Sequence, residues 1–478
     1  SQPGGGCLHP ATSQSVSDRL HYLKMDGQEV FKNAVTAMTT AAREALARCE
    51  LEIDRIKCII PHQANMRILN AVGDRLGARE DQVFSNLQRY GNTSAASVAI
   101  ALDEAVEFPH QNFAEAKAAG LHALCVPTEY GGAGFWLPGR YGPWYEVLER
   151  MARWETNTAQ LIQVHNHAAG IIAWHSSPEQ RDHFMPRIVD GAFCASLGSE
   201  AHLYENGAEV LQSELTKVDG GYRLTARKGF ASVAATAKYL MVWCAVEGDT
   251  SYASRLVFAV VDVDWDGVEL LDDWQMLGMR STISCGVKFQ DVFVPDDHVV
   301  GTPGGWITGD PRTFSCAYAS NHLGSAQGAF DFLVEYIGAR PDLSGSEAVR
   351  VKLGQMDARL FAARACLRST AARLDRGDDP DECEADAVRT MHLAKDVVLS
   401  IPYEGFDLVG ARACHERYPL GQMMRDARTF TLHFRDDLYV ERLAQLALGN
   451  GFSAKGGRGG STPFEEGSGT TAQATAGA

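Results

Sequence analysis

Residues 410–437 form the part of the sequence with the densest set of side chains that could do chemistry. The segment reads GARACHERYPLGQMMRDARTFTLHFRDD and contains five arginines and two histidines between stretches with a helical pattern. Because an imidazole can donate or accept a hydrogen bond near neutral pH, His433 is a candidate for contact with a reacting group. Taken alone, His433 could equally cap or face solvent on a helix, and Arg412 and Arg428 could simply pair with acidic residues.

Three upstream segments carry further polar side chains in a compact order. The segments DDWQMLGMRSTIS, KGFASVA and TAQLIQVHNHAAGIIAWH contain Trp274, Arg280, Thr282, Ser284, Ser232 and His165. Each has a structural interpretation when it is considered alone. A histidine on an apolar helix is more often a core residue, and Ser232 would be an ordinary hydroxyl at a strand end.

Two motifs near the start of the chain form a separate constellation. PHQAN contains His62, and YGNTSAAS contains Asn92. A helical pattern and a short β-type run lie between them, so the two motifs belong to one α/β element group.

The pattern of apolar residues predicts the elements that position these motifs. A helix is predicted after SPEQ with Ser177 as its N-cap, and YLMVWCAV is predicted to be a strand. The resulting domain prediction is as follows: 1–21 disordered, 22–106 α/β, 108–194 helical, 195–305 β-rich, 306–449 helical, and 450–478 a disordered tail of low complexity.

Composition excludes several classes of function. The net charge of −16 argues against nucleic acid as a general partner. The 11 cysteines show no CxxC pair or metal-like spacing, so no metal site is predicted and a reducing, cytoplasmic location is expected. No apolar run reaches the length that spans a membrane, and the first residues do not read as a secretory signal.

The segment 22–106 resembles the C-terminal half of β-ketoacyl-ACP synthase III, an enzyme of the thiolase fold. The motifs PHQAN and YGNTSAAS carry the resemblance, and His62 and Asn92 match the histidine and asparagine that stabilise the family's oxyanion. The family's nucleophilic cysteine belongs to its N-terminal half, and Cys7 lies in a glycine-rich stretch instead. The resemblance therefore implies half of a thiolase fold whose site is vestigial.

From about residue 108 the chain resembles the acyl-CoA dehydrogenase superfamily of flavoproteins. AGLHALCVPTEYGGAGF and DDWQMLGMRSTISCGVKFQDVFVP carry the resemblance. It implies a multidomain fold with a helical N-terminal part, a central β-barrel domain and a C-terminal four-helix bundle. FAD or FMN would lie between the β-domain and the bundle, and the chain would form a dimer or tetramer.

Within that superfamily the chain is most similar to the dibenzothiophene monooxygenase-like branch of flavin hydroxylases. GAR, RTFTLH, GMR-S-T-I-S and KGFASVA match that branch, which uses reduced flavin from a separate reductase and O₂. The resemblance implies that His165, Ser232 and His433 stabilise the flavin's oxygen adduct. It also implies a set of residues that bind the cofactor: Ser196, Trp274, Arg280, Thr282, Ser284, Gly410, Arg412 and, toward a neighbouring subunit, Arg340. The sequence departs from the branch at Val233, Phe430 and Phe434.

Two other functions remain open at this stage. An acyl-CoA or acyl-ACP dehydrogenase would need a carboxylate base for the α-proton of a thioester substrate. The family's base positions fall near Phe434 or Arg435, or near Phe314, and none of these is a carboxylate. The third possibility is an inactive fusion that serves as a scaffold. The hypothesis that we carry forward is a two-component flavin-dependent monooxygenase acting on a small molecule or an acyl thioester.

Overall fold

The computed structural model of the chain separates into two compact units, residues 1–107 and 108–478. The residues that it describes are 12–18, 27–49, 51–56, 58–85, 87–92, 108–200, 204–205, 208–209, 213–250, 252–306, 313–415, 417–433 and 436–449. The tail expected at 450–478 lies outside these residues. None of the described helices combines the length and the apolar character needed to cross a membrane.

The first unit is a small helical assembly. Its helices are α1 (Ser13–Ser17), α2 (Gly27–Cys49), α3 (Met66–Leu76) and α4 (Leu87–Tyr90). Helix α1 lies within the stretch expected to be disordered and is capped by Thr12. Val35 of α2 packs against Ile68 and Val72 of α3 in the core of this unit.

The backbone pairing between the described extended segments of this unit is a single bridge. Ile59 pairs in parallel with Val83, and the Ile59 amide donates to the carbonyl of Gln82 at 2.6 Å. Within the described residues of this unit no longer ladder accompanies that bridge. One bridge is too little backbone pairing to form the sheet that a thiolase half would contain.

The second unit begins with helices and continues into a sheet. Its helices are α5 (His110–Ala118), α6 (Tyr141–Ala152), α7 (Thr156–His175), α8 (Pro178–Val189) and, within the sheet region, α9 (Tyr252–Arg255). Ser177 caps α8 as predicted, with its hydroxyl accepting from Gln180 N at 3.2 Å. Helix α7 is buried from Asn157 to Ala173, so it is the helix around which this part packs.

The sheet is built on one central buried strand. The strands are β1 (Cys194–Leu197), β2 (Tyr204–Glu205), β3 (Ala208–Glu209), β4 (Glu214–Val218), β5 (Gly221–Lys228), β6 (Tyr239–Val246), β7 (Leu256–Asp262), β8 (Val268–Leu270), β9 (Val287–Pro295) and β10 (Val299–Val300). β6 is the predicted YLMVWCAV strand, and it pairs in parallel with β1 and β4 and antiparallel with β7. The order β10-β7-β6-β4-β5-β9-β8 does not close on itself, so the described strands form an open sheet where a barrel was expected.

The chain ends in a bundle of long helices. Its members are α10 (Ser315–Gly338), α11 (Pro341–Ser344), α12 (Glu347–Arg376), α13 (Pro380–Val409), α14 (Leu420–Thr431) and α15 (Asp436–Ala447). The buried positions Met356, Leu360, Ala363 and Leu367 of α12 recur at a spacing of three or four residues, as the sequence predicted. Helix α14 is the member of this bundle that contacts the loop between β8 and β9.

The contact between α14 and the sheet leaves no room for a side chain at Gly278. A Cβ there would lie 2.2 Å from the carbonyl oxygen of Arg425 and 2.5 Å from the amide nitrogen of Asp426. Backbone atoms of a helix cannot move aside as a flexible side chain can. We therefore expect Gly278→Ala to force α14 away from the loop and to lower the free energy of unfolding by about 1–3 kcal/mol.

Chemical denaturation of the full chain measures this effect. The matched control is Gly354→Ala in α12, where a Cβ meets no atom within 4 Å. The control should raise the free energy of unfolding by about 0.5–1 kcal/mol, because glycine weakens a helix interior. Equal effects of the two substitutions would contradict the close contact at Gly278.

Candidate functional site

Asp426 of α14 joins three parts of the second unit. Its Oδ1 accepts from the Met279 amide at 2.6 Å, and its Oδ2 accepts from the Asn157 side chain at 3.2 Å. Met279 belongs to the loop between β8 and β9, and Asn157 is in the first turn of α7. Burial raises the pKa of Asp426, so its ionised form is held by these hydrogen bonds at a desolvated position.

A chain of hydroxyl groups starts beside that loop. The Oγ atoms of Ser232 and Ser284 are 2.7 Å apart, and Ser284 Oγ donates to Thr282 Oγ1 at 2.8 Å. Thr282 Oγ1 in turn donates to the carbonyl of Met279 at 2.7 Å. All three side chains are buried. Three residues that the sequence placed at the site are therefore brought together.

The backbone around these hydroxyls is strained. Phe230, Val233, Met279 and Ile283 have φ values of 53°, 76°, 53° and 40°, a region that residues other than glycine rarely adopt. Such conformations persist where the surrounding structure enforces them, and they cluster at functional sites. The ring of Phe230 is 56% exposed and packs edge-on against Trp274 at 6.0 Å. An open aromatic surface thus lies next to the hydroxyl chain.

Tyr318 and His433 form a second polar pair. Tyr318 OH lies 2.7 Å from His433 Nε2, and the two rings stack with centroids 4.7 Å apart. Solvent reaches part of the His433 side chain, yet the surrounding protein lowers its pKa to about 4. We call the region bounded by this pair and by the hydroxyl groups of Ser232, Ser284 and Thr282 the cleft. The imidazole is neutral at pH 7, so it shares one hydrogen bond with the phenol, whose direction depends on the tautomer of the ring.

The pair and the hydroxyl chain are attached to the same helix. Asp426 holds the Met279 loop, and His433 follows seven residues later, about 10 Å along the helix direction. Phe314, at an alternative base position of the dehydrogenases, packs its ring on His167 at 4.9 Å and on Trp306 at 5.3 Å.

His165 is not part of this constellation, which corrects the expectation from its place in the sequence. Its Nδ1 accepts from the Cys194 amide at 2.9 Å, and its Nε2 donates to the carbonyl of His122 at 2.8 Å. Both nitrogens are therefore occupied by backbone groups, and the ring ties α7 to β1. His167, two residues later, lies in the aromatic cluster near Tyr318, at 6.4 Å between ring centroids.

The other predicted residues are more dispersed. Ser196 on β1 accepts from Trp243 Nε1 at 3.0 Å, and Trp274 Nε1 donates to the carbonyl of Arg280 at 3.1 Å. Gly410 and Arg412 are exposed in the turn after α13. Arg340 is 22 residues beyond Tyr318, about 33 Å along α10, and pairs with Asp342 at 2.8 Å.

The first unit holds the remaining pair of candidates. His62 is half-buried ahead of α3, and Asn92 is exposed after α4. In the described part of the chain, no group of three or more histidine, cysteine, aspartate or glutamate side chains is arranged to hold a metal ion.

Both units are similar to known proteins or to parts of them. Residues 316–437 match the family described as acyl-CoA dehydrogenase, C-terminal domain. The second unit superposes on butyryl-CoA dehydrogenase from Megasphaera elsdenii with a TM-score of 0.64 and 20% identity, over 73% of this chain and 94% of that one. The second unit has the acyl-CoA dehydrogenase fold. The fold predicted from the sequence is thereby confirmed.

Monooxygenases of the same fold are also similar to the second unit. Dibenzothiophene monooxygenase from Rhodococcus qingshengii is 29% identical over 347 residues, which is 66% of this chain and 81% of that protein. The FMN-bound structure of TdsC from Paenibacillus sp. A11-2 gives a TM-score of 0.66 at 23% identity, over 74% of this chain and 94% of that one. The resemblance stated from the sequence motifs is confirmed at the level of homology.

The first unit is similar to part of another enzyme. Residues 46–114 match the family described as 3-oxoacyl-[acyl-carrier-protein (ACP)] synthase III, C terminal. β-Ketoacyl-[acyl-carrier-protein] synthase III from Chlorobium phaeobacteroides is 41% identical over 140 residues, 29% of this chain. The chain spans about two fifths of the length of that relative, 40%. The predicted synthase-like fragment is confirmed.

Sequence reasoning missed several residues that the structure places at the site. They are Tyr318, His167 and Asp426, together with His322, whose ring packs on Phe430 with centroids 4.7 Å apart. One signal was present in the sequence. Tyr318 and His322 are four residues apart in an otherwise apolar helix, and that spacing puts them on one face.

The buried His165 makes stability depend on pH. Burial lowers its pKa to about 4, against about 6.5 in the unfolded chain, so the unfolded state binds the proton more readily. Its contribution is complete above pH 6.5 and is lost as pH falls toward 4, by as much as about 3 kcal/mol. We expect His165→Gln to remove this component of the pH dependence and to lower stability at pH 7.

Urea denaturation between pH 7.5 and pH 4.5, for wild type and variant, measures the slope. His392→Gln is the control, since His392 is exposed on α13. If the difference between wild type and His165→Gln stayed constant with pH, the buried neutral assignment of His165 would be wrong.

Proposed function

We propose that the second unit is a flavin-dependent monooxygenase that uses reduced FMN or FAD and O₂. The observation that carries the proposal is the Tyr318–His433 pair at the cleft, 2.7 Å between its polar atoms. The base positions of the dehydrogenases correspond to Phe314, Phe434 and Arg435, and none of these residues is a carboxylate. A dehydrogenase would need such a group as the base for its α-proton.

The residues present fit a bound flavin. Ser232, Thr282 and Ser284 offer hydroxyl groups at one side of the cleft, and Phe230 and Trp274 offer flat surfaces. Asp426 fixes the spacing between the loop and α14. Reduced flavin, when bound, supplies two electrons and the reaction with O₂ that inserts one oxygen atom into a substrate.

The residues of the chain would protect that chemistry from water. His433 is neutral at pH 7, so its ring can hydrogen-bond a reacting oxygen without delivering a proton too early. Tyr318 fixes the orientation of that ring through its hydroxyl. The buried hydroxyl groups of Ser232, Ser284 and Thr282 would hydrogen-bond the flavin.

We further propose that a separate reductase supplies the reduced flavin and that the chain forms a homo-oligomer. The support for a reductase is the similarity to a dibenzothiophene monooxygenase. The support for an oligomer is the exposure of Phe361 and Tyr403, 72% and 67%, on α12 and α13. In the first unit, His62 and Asn92 remain proposed as vestiges of a ketosynthase site.

Without the His433 ring, reduced flavin on the protein should release H₂O₂ sooner after it reacts with O₂. In His433→Ala we expect H₂O₂ release about tenfold faster than in wild type, from the loss of one hydrogen bond in a desolvated place. Tyr318→Phe should have a smaller effect in the same direction, because the imidazole is still present. Stopped-flow oxidation of reduced flavin on the full chain, with H₂O₂ assayed, measures both.

The control is His415→Ala, because His415 is exposed in the turn ahead of α14 and should leave the rate unchanged. A protein that holds oxidised flavin and is bleached by butyryl-CoA without a reductase would be a dehydrogenase instead. Failure to bind flavin in either redox state would leave only the scaffold function.

A further inference from the structure

Helix α7 is buried along almost its whole length and nevertheless carries a row of polar side chains. Asn157, Gln160, Gln163 and His167 are spaced by three, three and four residues, which places them on one face. Their neighbours Leu161, Ile162, Ile171 and Ile172 form the ordinary apolar core. A buried helix needs no polar stripe for packing, so this row calls for an explanation.

A second polar row on α10 faces the first. Asn321 and His322 follow Tyr318 at intervals of three and four residues. The Asn321 side-chain amide donates to Gln163 Oε1 and thereby joins the two helices. The His322 ring packs edge-on against Phe430 at 4.7 Å, next to the turn that carries His433. We call Asn157, Gln160, Gln163, Asn321 and His322 the polar seam.

The hydrogen-bonding capacity of the polar seam is largely unused. Within the described structure, five sets of atoms have no hydrogen-bond partner and no contact with solvent: Asn157 Oδ1, Gln160 Oε1, Gln163 Nε2, Asn321 Oδ1 and both ring nitrogens of His322. More than nine tenths of each of these side chains is buried. Buried polar atoms without partners are rare in folded proteins because each carries an uncompensated desolvation cost.

The hydrogen bond between Gln163 and Asn321 forms in either orientation of the two amides. If Gln163 and Asn321 were both rotated, their mutual hydrogen bond would reverse, and one N–H donor and one oxygen acceptor would still remain unused. His322 is neutral, because burial and the nearby Lys395 lower its pKa to about 3, so it adds one donor and one acceptor. The seam thus offers more acceptors than donors.

We propose that the polar seam binds the substrate of the monooxygenase site and that this substrate is a small polyhydroxy or amino compound. The inference rests on the proposed function and names its substrate class. Hydroxyl or amine hydrogens would satisfy the acceptors of Asn157, Gln160 and the Gln163–Asn321 pair. Asn321 and His322 follow Tyr318 by three and four residues on α10, so a molecule lying in the seam would have one end near the Tyr318–His433 pair.

An acyl chain or a polycyclic aromatic would be a poor occupant. Either would cover the seam with carbon and leave each of its polar atoms without a partner. The amide side chains must rotate to admit a ligand, because their polar atoms are out of contact with solvent. Specificity of this kind is strong, since a site built for hydrogen bonds rejects ligands that lack them.

Thermal unfolding of the full chain with probe compounds tests the proposal. The polar probes are D-glucosamine and myo-inositol, and the apolar probes are indole and butyryl-CoA. We expect at least one polar probe to raise the melting temperature of wild type in a saturable way, and neither apolar probe to do so. The Gln163→Leu/Asn321→Leu double variant removes both members of the amide pair together, so neither is left alone.

The double variant should fold, should melt at a higher temperature because unpaired buried groups are gone, and should bind the polar probe at least about tenfold more weakly. The matched control is Thr370→Val/Thr390→Val, which removes a buried polar pair that is already satisfied, 3.0 Å apart, between α12 and α13. This control should leave probe binding unchanged.

Several results would overturn the proposal. Among them are stabilisation of wild type by indole or butyryl-CoA alone, no shift with any probe, and polar-probe binding that is unaffected by the double variant. Flavin binding is measured in parallel, which separates the two proposals. Probe binding without flavin binding would keep the seam and reject the monooxygenase, and flavin binding with a preference for indole would do the reverse.

Discussion

The arrangement of the site depends on the hydrogen bonds made by one buried carboxylate, Asp426. It binds the Met279 amide and the Asn157 side chain from the middle of α14. These contacts bring the sheet loop, the central helix α7 and the C-terminal bundle to one point. A desolvated carboxylate is costly unless donors surround it. The loop must therefore present the Met279 amide, and α7 the Asn157 side chain, to Asp426 of α14. Gly278 allows the approach, since its missing side chain is where the α14 backbone lies.

From that point the loop and the helix lead to the two edges of the cleft. The loop carries Thr282 and Ser284 toward Ser232, in a backbone held at positive φ values by its surroundings. The helix carries His433 toward Tyr318 of α10. The strain in the loop and the desolvation of the histidine are both unfavourable for stability. Their occurrence together at the end of the sheet is the usual sign of a site selected for function.

The two units present contrasting cases of similarity. The second unit matches a dibenzothiophene monooxygenase over 81% of the length of that protein. In this unit Ser232 hydrogen-bonds Ser284, and Tyr318 hydrogen-bonds His433. The first unit matches only part of the synthases, and its described residues pair through a single β-bridge. In the described part of the first unit, the motif PHQAN therefore follows a single β-bridge and no longer ladder.

Much of the fold could be predicted from local patterns. The α12 core positions, the Ser177 cap and the strand Tyr239–Val246 follow from periodicity and capping, which act over a few residues. The site was less accessible to such reasoning. The structure joins Ser232, Thr282 and Ser284 by hydrogen bonds, and the role of these residues and of His433 toward a flavin stays a prediction. His165 was also assigned to the flavin, but its ring nitrogens bond the backbone of Cys194 and His122.

The sequence by itself determined the helices and strands, the acyl-CoA dehydrogenase fold and the absence of a carboxylate at residues 314, 434 and 435. The tertiary structure decided which polar side chains meet. Helical spacing puts His165 and His167 on different faces but does not say which face another element will cover. Likewise, Gln163 and Asn321 are 158 residues apart, and only the packing of α7 on α10 makes them partners. Hydrogen bonds between distant segments are set by packing, which no local pattern encodes.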